Sequence, residues 1–395
     1  MTRRAQAVIG ACWGDEGKGL LTDALARPGT LVVRFNGGAQ AGHTVVAPDG
    51  RRHVFHGIGS GTFRGAATFL SRLHVHNPLL HGEEVAQLGR LGLRPRILAD
   101  PRGAVTTPYD MMLNQMAEEA RGAARHGSCG MGLNETVTRM EAGTRMEAGA
   151  GFMLTAGELG DAGRLRAILH AIRTGWVPQR LDALGLRPSP VWLARLDSAA
   201  VRDAFMDAAG SFAATVAMAP DAIAAHDGPV LFEGAQGLLL DAAHRWFPHV
   251  TRSRTGLHNV AVLAQEAGIG ALDVTYATRA YATRHGAGPF PREADVSYPD
   301  ATNVPNAWQG RLRFGHLDLD LLQEAVAADV AAAPVPVSHR LAVTCLDQVG
   351  DAIQFHHEGR ACTAAPAAML EMAQARLGGG GLASYGPTRD TLRGG

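Results

Sequence analysis

The chain has 395 residues, of which 46% are hydrophobic and 19% charged, a balance typical of a globular protein and unlike that of a disordered one. Lysine plus arginine number 37, and aspartate plus glutamate also number 37, so the formal net charge is zero and we expect no binding to nucleic-acid backbones as a main task. No apolar run reaches about 18 residues, the length that a membrane-spanning helix needs, so we expect no membrane segment.

The four cysteines are far apart in the sequence and form no C-x-x-C pair. This spacing favours reduced thiols and a cytoplasmic protein. The N-terminal segment has only a short apolar run before a glycine-rich stretch, so we interpret it as a first strand and not as a signal peptide.

Short apolar runs alternate along the chain with longer stretches of helical periodicity. Valine, leucine and isoleucine follow one another in these runs without strict alternation, which indicates strands covered on both faces. We predict strands at AVIGA (7–11), TLVVRF (30–35), GPVLFEGA (228–235), LDVTYATRAY (272–281) and RLAVTCLD (340–347), and a strand or strand and loop at TFLSRLHVH (68–76). Helical periodicity marks 110–127 and 164–175. The sequence therefore predicts an α/β fold with a mainly parallel central sheet flanked by helices.

Long polar linkers do not divide the chain, so we treat residues 1–395 as a single large domain with inserted subdomains. The glycine run LGGGG (377–381) predicts a loop. One short duplication, RMEAGTRMEAG (139–149), has two copies, too few for a repeat architecture. It predicts a surface helix or loop.

The stretch GACWGDEGKGLLTD (10–23) follows the first predicted strand and leads into a helical pattern. Backbone N–H groups of a glycine-rich turn at a helix N-terminus bind phosphate, and Lys18 adds positive charge. The strict phosphate-loop pattern fails twice, since Cys12 replaces its first glycine and Gly19 replaces the hydroxyl residue that holds Mg²⁺. The carboxylate of Asp15 is compatible with a phosphate if Mg²⁺ lies between them, or if it acts as a base on a bound substrate.

Five blocks of sequence, in the same order as in the adenylosuccinate synthetase family, give this chain a resemblance to that family from about residue 5 to residue 390. They are WGDEGKG (13–19), VVRFNGGAQAGHTVV (32–46), LFEGAQGLLLD (231–241), PHVTRSRTG (248–256) and YATRHGAGPFPRE (281–293). The resemblance implies a P-loop-related fold. It also implies a C–N ligase that joins the amino group of L-aspartate to C6 of a purine nucleoside monophosphate, using a nucleoside triphosphate and Mg²⁺.

Such a reaction needs a base near N1 of the purine, so that O6 becomes a nucleophile and takes the γ-phosphoryl group before the amine displaces phosphate. The resemblance assigns Asp15 as this base, His43 as the acid at the phosphoryl bridge, and Lys18 to the transferred phosphate. It places Asp15 and the carbonyl of Gly42 at Mg²⁺. Three glycines of the loop would contact the nucleoside triphosphate: Gly14, Gly17 and Gly19.

The resemblance assigns a second group of residues to the purine nucleoside monophosphate: Gln40, Ser128, Cys129, Gln236 and Thr251. Among them, Gln236 would hold the polar edge of the purine and Thr251 would contact the phosphate. The family has asparagine where Gln40 stands, and a hydroxyl where Cys129 stands, so a hydrogen bond to phosphate is weakened there.

A homodimer is also implied, because the family borrows an arginine from the partner subunit to bind the nucleotide phosphate. The duplication leaves two candidates for this arginine, Arg139 and Arg145. The aspartate substrate is assigned to NAWQGRLRFGHLD (306–318), where Arg311 and Arg313 keep the family's R-x-R spacing and two guanidinium groups suit a dicarboxylate. The family's threonines are replaced there by Trp308 and Gln309.

The base of the triphosphate donor is assigned by resemblance to Asp347 in TCLD (344–347) and to Ser384 and Gly386 in ASYGPTRDT (383–391). An aspartate can accept hydrogen bonds from guanine. Cys345 replaces the lysine that packs on the purine in the family. GTP, ATP and dATP therefore all stay open as donors.

Departures at 306–318, 344–347 and 383–391 resemble a phage-associated branch of the family that makes 2-aminoadenylosuccinate from dGMP. In that branch the loop aspartate is often a smaller residue, so Asp15 favours a purine without a 2-amino group. We take IMP as the first choice of substrate and GMP or dGMP as the second. A remote alternative from another class is a nucleotide switch without ligase activity, which would need neither His43 nor the R-x-R pair.

Overall fold

The computed structural model describes residues 2–145, 151–300, 302–303, 308 and 310–394. Across these ranges the strands are β1 Arg4–Gly10, β2 Leu31–Arg34, β3 His43–Val46, β4 Arg52–Phe55, β5 Ala67–Leu70, β6 Ile97–Ala99, β7 Val216–Met218, β8 Val230–Gly237, β9 Ala271–Arg279, β10 Ala282–Arg284, β11 Arg313–Gly315, β12 Leu317–Asp318, β13 Val337–Thr344, β14 Ile353–His357, β15 Arg360–Ala364, β16 Gly381–Ser384 and β17 Leu392–Gly394.

The α-helices of the same ranges are α1 Lys18–Leu25, α2 Pro78–Arg90, α3 Pro108–Arg121, α4 Leu133–Arg145, α5 Ala162–Ala171, α6 Val177–Ala183, α7 Pro190–Leu196, α8 Ala199–Thr215, α9 Leu257–Glu266, α10 Leu319–Ala331 and α11 Pro366–Arg376. None of the helices in the described part of the chain combines the length and the apolar character needed to cross a membrane.

Ten strands form one sheet in the order β17-β16-β13-β9-β1-β8-β2-β5-β6-β7. All neighbours are parallel except β16 and β17, which are antiparallel. The predicted mainly parallel sheet flanked by helices is therefore confirmed. Small sheets of β3 with β4, of β10 with β11, and of β12 with β14 and β15 lie outside it.

Each of the six predicted strands is present, as β1, β2, β5, β8, β9 and β13. The segment 68–76 is a strand only as far as Leu70 and continues as a loop. The two predicted helices correspond to α3 and to α5, which is followed by a π-helical turn at Ile172–Trp176. The duplicated segment 139–149, predicted as a surface helix or loop, is helical in α4 as far as Arg145, and the remaining helices between 177 and 215 were not predicted. The single-domain hypothesis stays a prediction.

Both faces of the sheet are buried, as the continuous apolar runs predict. One core cluster contains residues of β1 and of three helices on the same side: Ala7, Ile9, Leu263 of α9, Leu322 of α10 and Met369 of α11. On the opposite side, Val8 of β1 packs in a smaller cluster that contains Leu21 of α1. A third cluster packs β6 against α2, α3, α5 and α8. Side chains that alternate between two covered faces explain why the strand sequences are apolar throughout.

The order of the strands creates a crevice beside β1. The strands β8, β2, β5, β6 and β7 lie on one side of β1, and β9, β13 and β16 lie on the other. In open parallel sheets, ligands bind outside the carboxyl ends of the strands at such a reversal of strand order. The loops that follow β1, β2, β8, β9, β13 and β16 therefore surround a common site.

Two buried histidines pack where the loop after β5 meets α8. Both rings lie against Phe212, with centroid separations of 5.8 Å for His76 and 4.7 Å for His81. His81 Nε2 hydrogen-bonds Thr215 Oγ1, whereas neither ring nitrogen of His76 has a partner in the described ranges. Burial disfavours the imidazolium form and lowers the pKa of His76 to about 3 and that of His81 to about 4.

We predict that acid destabilises the protein through these histidines. Below pH ~6.5 a histidine binds a proton in the unfolded chain but stays neutral where it is buried in the folded protein. The free energy of unfolding therefore falls as the pH falls towards the lowered pKa, by about 1.4 kcal/mol per pH unit for each histidine. His76→Leu removes one such group without removing a hydrogen bond. Urea unfolding of this variant between pH 7 and pH 4 should give a shallower pH dependence than the wild type. His170→Leu provides the control, because it removes a histidine that is exposed and not buried. A pH dependence in His76→Leu that equals that of the wild type would contradict the prediction.

Candidate active site

The loop between β1 and α1 adopts a backbone that favours glycine. Gly14, Asp15 and Gly17 have φ values of 93°, 58° and 82°. A Cβ at Gly17 would lie 2.8 Å from Cγ2 of Thr344, so a side chain does not fit there. Helix α1 then begins at Lys18, and the N–H groups of its first turn face the crevice.

Two carboxylates of this loop have different environments. Asp15 is half-buried and faces the crevice, and the guanidinium of Arg279 donates to its backbone carbonyl. Glu16 is buried beneath the loop, where its Oε1 accepts the N–H of Cys12 and its Oε2 lies 3.7 Å from Lys18 Nζ. Burial raises the pKa of Glu16 to about 7, although the positive charge of Lys18 opposes this. The repulsion that two loop carboxylates would exert on a phosphate is therefore reduced.

A cavity of about 270 Å³ lies over the loop. The sequence-predicted residues that line it are Asp15, Gly17, Lys18, Gly19, Gly42, His43, Asp347, Ser384 and Gly386. They come from the carboxyl ends of β1, β13 and β16 and from the segment that leads into β3. All the residues assigned to the triphosphate and to the phosphoryl transfer, except Gly14, thus line one cavity.

A second cavity, of about 420 Å³, lies next to the first. Five of the seven residues assigned to the monophosphate line it, Gln40, Ser128, Cys129, Gln236 and Thr251, whereas Arg139 and Arg145 do not. Asn36 connects their loops, since its side chain exchanges hydrogen bonds of 2.9 and 2.8 Å with the backbone of Ala235. Asn114 likewise holds the 127–132 loop through Ser128 Oγ and the N–H of Gly132.

Asp15 lies where the two cavities meet. It lines the first cavity, and its Oδ2 is 3.6 Å from Nε2 of His285, which lines the second. Gly14 leaves little room for a side chain on the side of Gln236, since an added Cβ would lie 3.3 Å from Cα of Gln236. A carboxylate at this junction can reach groups bound in either cavity.

His43 is oriented by a buried acid that the sequence analysis did not single out. Its Nδ1 is 2.7 Å from Oε1 of Glu233, which also accepts the hydroxyl of Ser60 and lies 3.7 Å from Arg34. Burial alone would raise the pKa of Glu233, but the charge of Arg34 and the contact with His43 outweigh it and hold this pKa at about 2. A charged Glu233 accepts a hydrogen bond from Nδ1–H, so Nε2 of His43 is left for a ligand. A carboxylate inside a predicted buried strand is the signal that could have identified Glu233.

The predicted arginines lie outside both cavities. Arg139 is fully buried, with its guanidinium on Asp110 and on the carbonyls of Val105 and Phe152. This burial contradicts its assignment as an arginine that reaches a partner subunit. Arg145 is 78% exposed at the end of α4, and the rest of the duplication lies outside the described residues.

In the segment assigned to the aspartate substrate, the side chain of Arg311 is exposed, whereas that of Arg313 is partly buried and bound to other residues of the protein. The guanidinium of Arg313 pairs with Glu293 and donates to the carbonyls of Gly286 and Gly288 at 3.1 and 3.0 Å. Arg313 therefore braces the loop next to the second cavity. Gln309 lies outside the described residues.

The cavity walls also contain residues without a sequence-based assignment. Arg279 donates to Asp300 at 2.9 Å beside the first cavity. Cys345, at the position of the family's lysine, has a φ of 61° and lines the same cavity with Gln348. No local pattern identifies Arg279 or Gln348, because their contacts join positions far apart in the chain.

The model of the adenylosuccinate synthetase family matches residues 7–378. The adenylosuccinate synthetase of Stenotrophomonas maltophilia is 32% identical over 332 residues, which cover 81% of this chain and 73% of that protein. That of Chromohalobacter salexigens is 35% identical over 303 residues, which cover 72% and 64%. This chain belongs to the adenylosuccinate synthetase family.

Two solved structures of this type share the fold. Fully ligated adenylosuccinate synthetase from Plasmodium falciparum superposes with a TM-score of 0.73 at 16% identity, covering 98% of this chain and 99% of that one. Cyanophage S-2L succinoaminodeoxyadenylate synthetase, bound to dGMP and dATP, gives a TM-score of 0.60 at 16% identity, covering 100% and 96%. The α/β architecture of this family member is thus supported along its whole length.

We predict that Glu233→Gln changes the proton distribution on His43. The glutamine amide can either accept a hydrogen bond from Nδ1 or donate one to it, so the preference for the Nδ1–H tautomer should be lost. Burial lowers the pKa of His43 to about 4, and Glu233 opposes this effect, so the pKa should fall further without the carboxylate. Histidine ¹⁵N chemical shifts, recorded from pH 4 to pH 8, would measure both effects. Identical spectra for His43 in variant and wild type would show that Glu233 does not orient the ring.

Proposed function

We propose that this protein is a cytoplasmic ligase that joins L-aspartate to C6 of IMP and gives adenylosuccinate, a nucleoside diphosphate and phosphate. The observation that carries the proposal is the position of Asp15, at the junction of a cavity built around a phosphate loop and a cavity that contains Gln236. Phosphorylation of a purine O6 requires a γ-phosphoryl group and a 6-oxopurine to meet at one point. The junction is the place where ligands of the two cavities meet.

In the proposed mechanism, the Asp15 carboxylate takes the N1 proton of the purine, and the electron pair shifts towards O6. O6 then forms a bond to the γ-phosphorus while the bond from that phosphorus to the β–γ bridging oxygen breaks. Lys18 balances the charge of the transferred group. The bound phosphates favour a second proton on His43, and Nε2, protonated while Nδ1–H stays on Glu233, donates a hydrogen bond to the bridging oxygen. The aspartate amine finally bonds to C6, loses a proton, and releases O6 with the phosphate.

Gln236 and Gln40 would hold the purine monophosphate with Ser128, Cys129 and Thr251. The Ser128 hydroxyl is already hydrogen-bonded to Asn114, so we propose that it mainly fixes the loop. The Cys129 thiol is a weak donor, which leaves the phosphate dependent on Thr251 and on charged groups.

The triphosphate would occupy the first cavity, with its phosphates on the 14–19 loop and its base at Asp347, Ser384 and Gly386. GTP, ATP and dATP are all compatible with this lining. The oxygen donors of Asp15 and Gly42 fit Mg²⁺, which takes few protein ligands and completes its shell with phosphate oxygens and water. When bound, Mg²⁺ would neutralise charge that develops on the phosphates.

The aspartate substrate is assigned to Arg311, whose exposed side chain has room to bind a carboxylate, with Arg313 holding the adjacent loop. A homodimer is also part of the proposal. Of the two arginines considered for a shared site, only Arg145 is exposed enough to reach a partner.

A second candidate reaction, 2-aminoadenylosuccinate synthesis from GMP or dGMP with ATP or dATP, is favoured by one observation. By resemblance, Cys345 replaces the family's lysine at the donor base, and it lines the first cavity, which leaves ATP or dATP open as the donor. The retention of Asp15 favours IMP, because the 2-amino group needs room that a smaller residue would provide.

We predict that mass spectrometry will detect a succinyl adduct when IMP, dIMP, GMP and dGMP are each incubated with GTP, ATP or dATP, with aspartate and Mg²⁺ constant. An adduct on IMP is the expected result, and an adduct on dGMP or GMP alone would select the second candidate. Slow triphosphate hydrolysis without aspartate or monophosphate, and no adduct with any pair, would contradict ligase activity and favour a nucleotide switch.

Asp15→Asn is the sharpest single test of the base. Asparagine tolerates the left-handed backbone at this position, so the loop is retained while the carboxylate is lost. We expect turnover to fall by about 1,000-fold or more, since the base is lost and the Mg²⁺ ligand loses its charge, with triphosphate affinity changed much less. Steady-state kinetics and binding of a fluorescent triphosphate analogue measure the two effects. Retained turnover would remove Asp15 from the chemistry.

A further inference from the structure

Arg279 lies in the wall of the first cavity, but its guanidinium group is bound to the protein itself. It is the last residue of β9, and its side chain is 10% exposed. Its Nε donates to the backbone carbonyl of Asp15, its Nη1 to the hydroxyl of Tyr281 at 3.1 Å, and its Nη2 to Oδ2 of Asp300 at 2.9 Å. Each nitrogen of the planar fork therefore has an acceptor within the chain, on three different segments.

The hydrogen bond to Asp15 acts on the backbone of the residue assigned as the base. Asp15 has a φ of 58°, in the left-handed region that a residue with a side chain adopts where its surroundings hold it there. The backbone conformation sets the direction of the Cα–Cβ bond, from which the carboxylate projects. The charged donor on the carbonyl therefore helps to fix the starting point of this carboxylate.

Asp300 holds the other end of the Arg279 guanidinium from a turn beside the cavity. Its Oδ1 accepts the N–H groups of Thr302 and Asn303, both at 2.9 Å, and its Oδ2 accepts the side-chain amide of Asn303 at 2.8 Å. Thr302 and Asn303 line the first cavity. The ion pair thus joins β9 to the turn that precedes 306–318, the segment assigned to the aspartate substrate.

Tyr281 fixes the third side of the guanidinium. Its hydroxyl oxygen accepts from Arg279, which can only donate, so the hydroxyl proton goes to Oε1 of Gln348. Its ring stacks on that of Tyr298, with the centroids 3.7 Å apart and the planes 9° from parallel. Since Tyr281 is itself held on two sides, Arg279 is a rigid bridge between the phosphate loop and the turn at Asp300.

We propose that Arg279 is a positioning residue for the base. Through the carbonyl of Asp15 it holds the carboxylate at the junction of the two cavities, and through Asp300 it ties that position to the turn before the aspartate segment. A displacement of a reacting group by about 1 Å can lower a rate about 100-fold, so this bridge affects turnover more than binding. The inference rests on the proposed function, because it takes Asp15 as the base of the ligase reaction.

The test compares the wild type with Arg279→Met, which keeps much of the aliphatic length and removes all three donors. We expect kcat to fall by about 10- to 100-fold, while the affinities for IMP and for a fluorescent triphosphate analogue, measured without turnover, change much less. Arg279→Lys, whose ammonium keeps the charge but not the fork, should recover part of kcat. A general loss of folding would lower both affinities as well, so this pattern separates positioning from misfolding.

Asp300→Asn gives a second arm that does not depend on Arg279→Met. It keeps acceptors for the turn and removes the charge that pairs with Arg279, so kcat should fall by about fivefold, the difference between a charged and a neutral hydrogen bond. The double variant should be no slower than Arg279→Met alone, because both substitutions break one bridge.

Arg340 provides a matched control, because it is a partly buried arginine on β13 whose Nε donates to Oγ1 of Thr275 in β9 at 3.1 Å. Arg340→Met should keep the wild-type kcat. The inference is overturned if Arg279→Met turns over like the wild type, if it loses triphosphate affinity as strongly as kcat, or if the two single effects multiply in the double variant. A wild type without ligase turnover on any monophosphate would instead overturn the proposed function itself, and the inference with it.

Discussion

The parallel pairing of β1 with β8 and β9 is the constraint on which the site depends. Parallel strands end at the same edge of a sheet, so loops that are hundreds of residues apart in the chain converge there. Asp15 follows β1, Gln236 lies at the end of β8, and Arg279 ends β9. A change in the order or direction of these strands would separate the residues even if each local motif were kept.

Two buried carboxylates in this edge show how environment decides charge. Glu16 and Glu233 are both removed from water, which disfavours ionisation. Glu233 has Arg34, His43 and Ser60 around it, and its pKa falls to about 2, whereas Glu16 has mainly Lys18 and a backbone amide, and its pKa rises to about 7. The charged acid orients the histidine, and the other lies beneath the phosphate loop without adding a full negative charge to it.

The fold class was largely predictable from short-range patterns in the sequence, whereas the residues of the two cavities were assigned by resemblance to the family. Buried strands appear as apolar runs, and the glycine loop combines a strand, left-handed backbone positions and a helix start within a short stretch. The helices between 133 and 215 were harder to predict because their apolar faces pack on one another and only their tertiary packing reveals which side is buried. Residues such as Ser128 and Thr251 were assigned by resemblance, and the structure places both at the second cavity.

Arginine is where local sequence was least informative. The sequence does not show whether an arginine lies in the core, on a loop or in a cavity. Its long side chain can reach several partners, and the fold determines which of them are near. Arg139 was assigned to an interface and is buried on Asp110, while Arg252, which had no assignment, lines a cavity beside Thr251. The sequence by itself determined the sheet, the glycine loop and the chemical types of residue at the crevice, because these are encoded by neighbours in the chain. Only the tertiary structure decided which charges are buried, paired or available, because that depends on contacts between distant segments.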